Sequence, residues 1–451
     1  MKRILLIILV TIFFANSFAQ TFNSALAKKL QSSLDSVRTS TGIKGISASV
    51  FYPGQGMWKG VSGESYANTP ITQDMEFGIG SNTKLFTAVA LLKLVENNLL
   101  NLNDSLHQWL PPYNNIDPKI TIRQILNHVS GIKDVNTING FRDSMLTNPN
   151  RIFTANELMT WVGPPLFKAG EGWSYSNTNY LLAGMIAEKA SGKKIAQLIR
   201  ESILIPLQLD STFYDVEESV LGTIAHPWQN GIDIYTTPRN SRNSAAGAAG
   251  AMYSTASEMA QWYQKLMEGG VVTDNSFKEM TTFVGSGNYG FGIGLQTVNG
   301  RTVWAHGGNV LGYRSQMFYD TSLKAVICVL TNSNPATVSE VASRLLSTLV
   351  NNTFTKVETK ELLPTEISLS QNYPNPFNPI TEINYQLPSL SKVSLKVFDI
   401  LGKEVMELVN KEQGAGNYKI KLDASNLTSG VYFYQLRTNS FVDTKKLVLI
   451  K

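Results

Sequence analysis

The amino-acid sequence predicts a mixed α/β domain whose two ends share one sheet, followed by a small all-β sandwich. Three observations carry this expectation. Strand-like segments stand at both ends of a helix-rich stretch between Ile46 and Thr331. A long apolar pattern of helical period opens at Ser81. After Asn352 the texture changes to short alternating runs between Pro and Asn turns.

The elements follow in chain order. Lys2 and Arg3 precede an apolar run from Ile4 to Ala15, and Ser17-Phe18-Ala19 supplies small residues for cleavage. That order marks residues 1–19 as a secretory signal peptide, and the run is too short to span a membrane comfortably. Ser24–Val37 has helical spacing, and Ile46–Tyr52 reads as a strand. Ser81–Leu99 carries Leu85, Val89, Leu92 and Val95 at helical intervals. Phe291–Val298, Arg301–Ala305, Arg314–Tyr319 and Ala325–Thr331 read as successive strands, and Val338–Val350 as a closing helix. The first domain is therefore placed at 20–355, a charged linker at 356–368, and the sandwich at 369–451. Within the sandwich, Lys392–Phe398, Tyr418–Leu422, Val431–Arg437 and Thr444–Ile450 read as strands.

Composition excludes several classes. Of 451 residues 43% are hydrophobic and 16% charged, too apolar for a largely disordered chain. The net charge of +5 is spread out with no Lys/Arg block, so no nucleic-acid partner is expected. Cys328 is the only cysteine and sits in an apolar run, where packing is its expected task. The four histidines show no zinc-binding spacing, and no Gly-x-Ser-x-Gly elbow occurs. Neither a metal nor a cofactor is called for.

A Ser-x-x-Lys spacing occurs four times, at Ser81/Lys84, Ser130/Lys133, Ser191/Lys194 and Ser389/Lys392. Context separates them. Only Ser81 follows a strand-like stretch ending Gly78-Ile79-Gly80 and opens a long apolar helix. A helix N-terminus presents free N–H groups where an oxyanion would form. A spacing of three puts Lys84 on the face of Ser81, and a desolvated lysine can serve as its base. Downstream stand Tyr175-Ser176-Asn177, before an apolar helix, and His306-Gly307-Gly308, after the strand ending Val303-Trp304-Ala305.

In this order the three motifs resemble the serine β-lactamase and penicillin-binding superfamily. Supporting stretches are Ile125-Leu126-Asn127-His128-Val129-Ser130-Gly131, Ala248–Trp262 and Tyr289–Gly294. The resemblance spans about residues 25 to 350. It implies a β-lactamase/transpeptidase-like fold, with an antiparallel sheet flanked by helices plus a helical region, and hydrolysis of an ester or amide. It also implies Ser81 as nucleophile, with Lys84 and Tyr175 sharing the proton work. Asn177 would hold Lys84 and a substrate amide. The backbone N–H groups of Ser81 and Asn309 would form the oxyanion hole, with Gly308 beside them. His306 would donate a hydrogen bond or positive charge near Tyr175. Gly307 departs from the pattern, because relatives that act on β-lactams or D-Ala-D-Ala carry Thr or Ser there to grip a carboxylate. The departure favours an esterase or another amidase. A true β-lactamase, a D-Ala-D-Ala carboxypeptidase and a non-catalytic sensor on the same fold remain the alternatives.

The tail carries its own resemblance. Asn372-Tyr373-Pro374-Asn375-Pro376-Phe377-Asn378-Pro379, Val397–Gly402, Gly430–Tyr434 and Lys445–Lys451 are similar to the type A sorting domain of the type IX secretion system. This implies an immunoglobulin-like sandwich, the type IX machinery as partner, and export to the surface or exterior of a Bacteroidetes-type cell.

Overall fold

The computed structural model describes residues 22–353, 364 and 366–451. The expected signal peptide and most of the expected linker lie outside the described residues. The chain divides into two units between Asn352 and Thr353.

The first unit is organised by a seven-stranded sheet. Its order is Thr69–Pro70, Gly56–Tyr66, Gly45–Tyr52, Ala325–Thr331, Tyr313–Asp320, Arg301–Val310, Gly294–Val298. All neighbours are antiparallel. The two ends of the unit meet within this sheet, with Ile46 opposite Thr331 and Phe51 opposite Val326. The Gly56–Tyr66 strand escaped the sequence reading. Its glycines at 56, 60 and 63 interrupt the alternation that marks a half-buried strand.

Ala325–Thr331 is buried along its whole length because both faces of the sheet are covered. Ala325, Ile327 and Val329 join the core with Leu30 and Leu34 of the Ser24–Thr41 helix and Leu345 and Leu349 of the Val338–Thr353 helix. Val326, Cys328 and Leu330 face the other way, into the core holding Phe86, Met259 and Tyr263. Each fully buried leucine here contributes roughly 1.5–3 kcal/mol of transfer free energy. The first helix is capped at both ends. Asn23 Oδ1 accepts from Leu26 N at 2.9 Å, and Gly42 closes it at φ 69°.

The second unit contains two antiparallel sheets. One has Ser368–Leu369, Ile380–Leu387 and Gly416–Asp423; the other has Glu404–Gln413, Ser391–Phe398, Gly430–Arg437 and Val442–Leu449. Alternate residues such as Val393, Leu395, Val397, Tyr432, Tyr434 and Leu436 build its core. Ile380–Leu387 and Glu404–Gln413 were not foreseen. The latter is largely polar and exposed, so it lacks an alternating signal. Among the described residues, no helix is long and apolar enough to cross a membrane.

Candidate active site

The site begins at a turn. Phe77–Gly78 pairs with Met252–Ser254, and the chain then makes one 3-10 turn over Gly80–Asn82 before the Thr83–Glu96 helix. The α-helix therefore starts two residues later than its apolar period predicts. Gly80, at φ 52°, reverses the chain where most side chains would be strained. A Cβ on Gly80 would also stand 2.6 Å from Asn309 N. The turn is pressed against the Arg301–Val310 strand, and polar bonds hold it there. Ser315 Oγ donates to Ile79 O at 2.7 Å, and Asn82 Nδ2 donates to Ser315 Oγ at 2.8 Å. A Cβ on Gly308 would meet Ile79 O at 2.0 Å and Ser315 Oγ at 2.3 Å. Gly308 is thus a site of close backbone approach, and it reaches the chemistry by placing Asn309.

Lys84 is wholly buried. Its Nζ lies 3.0 Å from Ser81 Oγ, 2.7 Å from Asn177 Oδ1 and 2.8 Å from Ala249 O. Burial draws the amine down to about 7, against a smaller upward pull from the Asp134 carboxylate. Near neutral pH both protonation states are populated. Charged, the ammonium has an acceptor for each of its three N–H groups. Neutral, it keeps Asn177 and Ala249 as acceptors and turns its lone pair to the Ser81 hydroxyl. The second state is that of a general base.

Asn177 opens the Asn177–Ser191 helix and donates from Nδ2 to Asp134 Oδ2 at 2.7 Å. Asp134 and the Ala249 carbonyl were not anticipated. Asp134 follows the Ile125–Gly131 stretch in sequence, but no spacing rule marks it. The Ala249 carbonyl is aimed by its neighbour, because Ala248 O accepts from Thr87 Oγ1 at 2.7 Å.

Tyr175 is packed among rings. Its centroid is 4.5 Å from that of His128, and Lys84 Nζ lies 4.9 Å from its centroid. Its Oη is buried and makes no hydrogen bond of ordinary geometry, although Ser81 lies near enough to favour the ionised phenol slightly. Burial dominates and pushes the phenol well up, so it stays protonated. His128 Nδ1 lies 3.3 Å from Ser176 N and accepts its proton. That bond makes His128 a support for the Tyr175–Asn177 segment.

His306 departs from its expected role. Its Nδ1 is 2.7 Å from Gly307 O and so carries the proton, while Nε2 accepts from Tyr289 Oη at 2.7 Å. Burial, helped by the Lys84 charge, holds the imidazole down to about 3. It is neutral near pH 7, and it meets Tyr175 only as a ring neighbour with centroids 6.2 Å apart. The expected positive charge is absent because no acid compensates the burial.

Ser81, Asn177 and Asn309 line a cleft of about 470 Å³. Asn309 Oδ1 accepts from Asn334 Nδ2 at 2.9 Å, which occupies its side chain and leaves the backbone as its contribution beside Ser81. A larger cavity of about 750 Å³ borders Gly247 and Ala248 and contains none of the predicted site residues. Among the described residues no cluster of ligating side chains could hold a metal ion.

Ser81 thus stands beside a buried lysine of lowered basicity, in the turn that leads into the Thr83–Glu96 helix. The chain belongs to the beta-lactamase family, whose model matches residues 22–351. The secretion system C-terminal sorting domain matches residues 371–451. Protein flp of Staphylococcus aureus (strain MW2) is 26% identical over 325 residues, covering 68% of this chain and 61% of that protein. Penicillin-binding protein 4* of Bacillus subtilis (strain 168) is 36% identical over 146 residues, 32% of this chain and 31% of that one. The chain thus spans less than two thirds of these relatives' length. Among solved structures, the D-amino acid amidase from Ochrobactrum anthropi SV3 complexed with L-phenylalanine amide superposes with a TM-score of 0.66 at 26% identity. That match covers 73% of this chain and 100% of the other. The D-stereospecific amidohydrolase from Streptomyces sp. gives 0.63 at 28% identity, covering 70% and 97%.

Proposed function

We propose that this protein is an exported hydrolase that cleaves esters or amides through an acyl-enzyme on Ser81. One observation carries the reading: a fully buried amine, drawn down to about 7, stands 3.0 Å from the Ser81 hydroxyl. Lys84 takes the Ser81 proton as Oγ attacks the carbonyl carbon. The N–H groups of Ser81 and Asn309 receive the oxyanion. Tyr175 Oη, buried and lacking a partner, gives its proton to the departing alkoxide or amine and regains one from Lys84. A water then attacks the acyl-enzyme by the reverse route, which frees the acid and restores Ser81.

Gly307 supports esters and amides over carboxylate-gripped β-lactams. No hydroxyl stands there, and Gln316 Oε1 lies 3.3 Å from where a Cβ would be. The likeness to a D-amino acid amidase and a D-stereospecific amidohydrolase supports including D-amino-acid amides among candidate substrates. The sorting domain supports carriage by type IX machinery to the surface or exterior.

The test is turnover of nitrophenyl esters, D-amino-acid amides and a chromogenic cephalosporin by wild type and Ser81→Ala. Ester or amide cleavage lost in Ser81→Ala is expected. Equal rates for both proteins on every substrate would overturn the enzymatic reading. Efficient cephalosporin turnover without ester or amide cleavage would replace the preference by a β-lactamase.

A further inference from the structure

Two arginines line the same cleft as Ser81. Arg142 comes from the Phe141–Thr147 helix and Arg242 from the Asn240–Ala246 helix. The two helices are tied to each other's flanks. Ser241 Oγ donates to Met145 O at 2.8 Å, and Ser241 N donates to Pro149 O at 3.0 Å. The two arginines therefore reach one cleft from segments that are bonded to each other.

Among the described residues neither pairs with a carboxylate. Arg123, Arg151, Arg200, Arg239 and Arg301 each pair with an Asp or Glu. Among the described residues Arg142 and Arg242 have neither an ion pair nor a hydrogen bond. Burial and then the Arg142 charge lower the proton affinity of Arg242, and no acid acts against them. Two like charges converging on a cleft without compensation oppose folding slightly, and an anion there would relieve both. Met145 lies three residues beyond Arg142 on the same helical face and also lines the cleft.

We propose that Arg142 and Arg242 form an anion subsite, and that the substrates are esters or amides carrying a carboxylate or phosphate remote from the scissile bond. The proposal names the substrate class of the Ser81 site and so rests on that reading. It also resolves what Gly307 leaves open. The strand lacks the hydroxyl that grips a carboxylate beside the scissile bond, and the guanidinium forks on the two helices would hold an anion at a different place in the cleft. Arginine suits this task because its planar fork matches either oxyanion with two parallel bonds.

The test uses a matched pair of substrates, nitrophenyl hemiglutarate and nitrophenyl valerate, which differ in one terminal carboxylate. Wild type is expected to favour the anionic ester by roughly 10- to 100-fold in kcat/KM. The preference should vanish in Arg142→Gln/Arg242→Gln, survive in part in Arg142→Lys/Arg242→Lys, and shrink as salt rises. A ratio that stays within about twofold between wild type and the Gln pair overturns the proposal. Where the Gln pair does not fold, an equal ratio in wild type and the Lys pair with no salt dependence overturns it equally. Calorimetry on Ser81→Ala separates the two readings. Saturable binding of glutarate identifies a carboxylate subsite, and of inorganic phosphate a phosphate subsite; binding of neither sinks the proposal. Glutarate binding without any ester or amide turnover by wild type leaves the subsite standing and removes the hydrolase reading.

Discussion

On the nucleophile side of the cleft, the groups around Lys84 and the Gly80 turn are bonded to one another. Lys84 Nζ has three partners within 3.0 Å, Asn177 is held by Asp134, and Ser315 bonds both Ile79 O and Asn82. On the helices that carry Arg142 and Arg242, the charged groups have no partner among the described residues. Burial explains the contrast. A fully buried amine survives only where acceptors surround it, and the same burial lowers its basicity into a useful range. Arg142 is exposed and Arg242 half-buried, so both remain available to a ligand. On the proposed reading, the bonded side does the proton work and the unpaired side selects what enters.

The strongest way to break this comparison is to remove the buried amine. Lys84→Met is expected to lower kcat/KM by about 10²–10⁴-fold. In wild type, kcat/KM should rise with pH through about 7, because the base must be neutral to accept the Ser81 proton. A profile flat between pH 5 and 8 would remove Lys84 from the base role.

Close packing of the turn comes next. Gly308→Ala would drive a methyl into Ile79 O, so a loss of about 1–3 kcal/mol in denaturant unfolding is expected, with reduced turnover. Gly307→Ala comes no nearer to any neighbour than 3.3 Å, at Gln316 Oε1, and should cost under about 1 kcal/mol. Equal costs would show that the turn is not clamped as described.

Glu76, just before the turn, offers a comparable test by pH. Its carboxyl is buried, and burial raises it from 4.5 to about 7, with the Gly222 N–H lowering it and Glu258 adding a smaller upward push. The folded state therefore holds a proton that the unfolded chain releases. Stability from this group is complete below pH 4.5 and is lost as pH rises through about 7. Glu76→Gln should remove that decline, a relative gain of about 2 kcal/mol at pH 8 against pH 4. Parallel stability curves for the two proteins would exclude the buried carboxyl as its cause.

The smallest effect belongs to Asp134→Asn. Removing a carboxylate that raises the Lys84 amine should move the ascending limb of the profile to lower pH, by less than about one unit. A limb moving upward would mean that Asp134 acts on Lys84 in the opposite sense.

Legibility follows the same division. The shared sheet could be read from apolar runs such as Ala325–Thr331, because a strand covered on both faces is apolar throughout. The Gly56–Tyr66 strand could not, since glycine carries no packing signal. Ser81 and Lys84 could be paired on paper because a spacing of three puts both on one side of a helical or 3-10 turn. Arg142 and Arg242 stand a hundred residues apart in undistinguished polar segments, and only the packing of two short helices brings them together.

By itself, then, the sequence determined the domain order, the family likeness and the serine–lysine pair, all of which rest on local spacing or short motifs. Tertiary structure alone decided how the pair is tuned. The Gly80 turn clamped by Ser315, the Ala249 and Asp134 contacts and the neutral state of His306 arise from burial, and burial is a property of the folded whole.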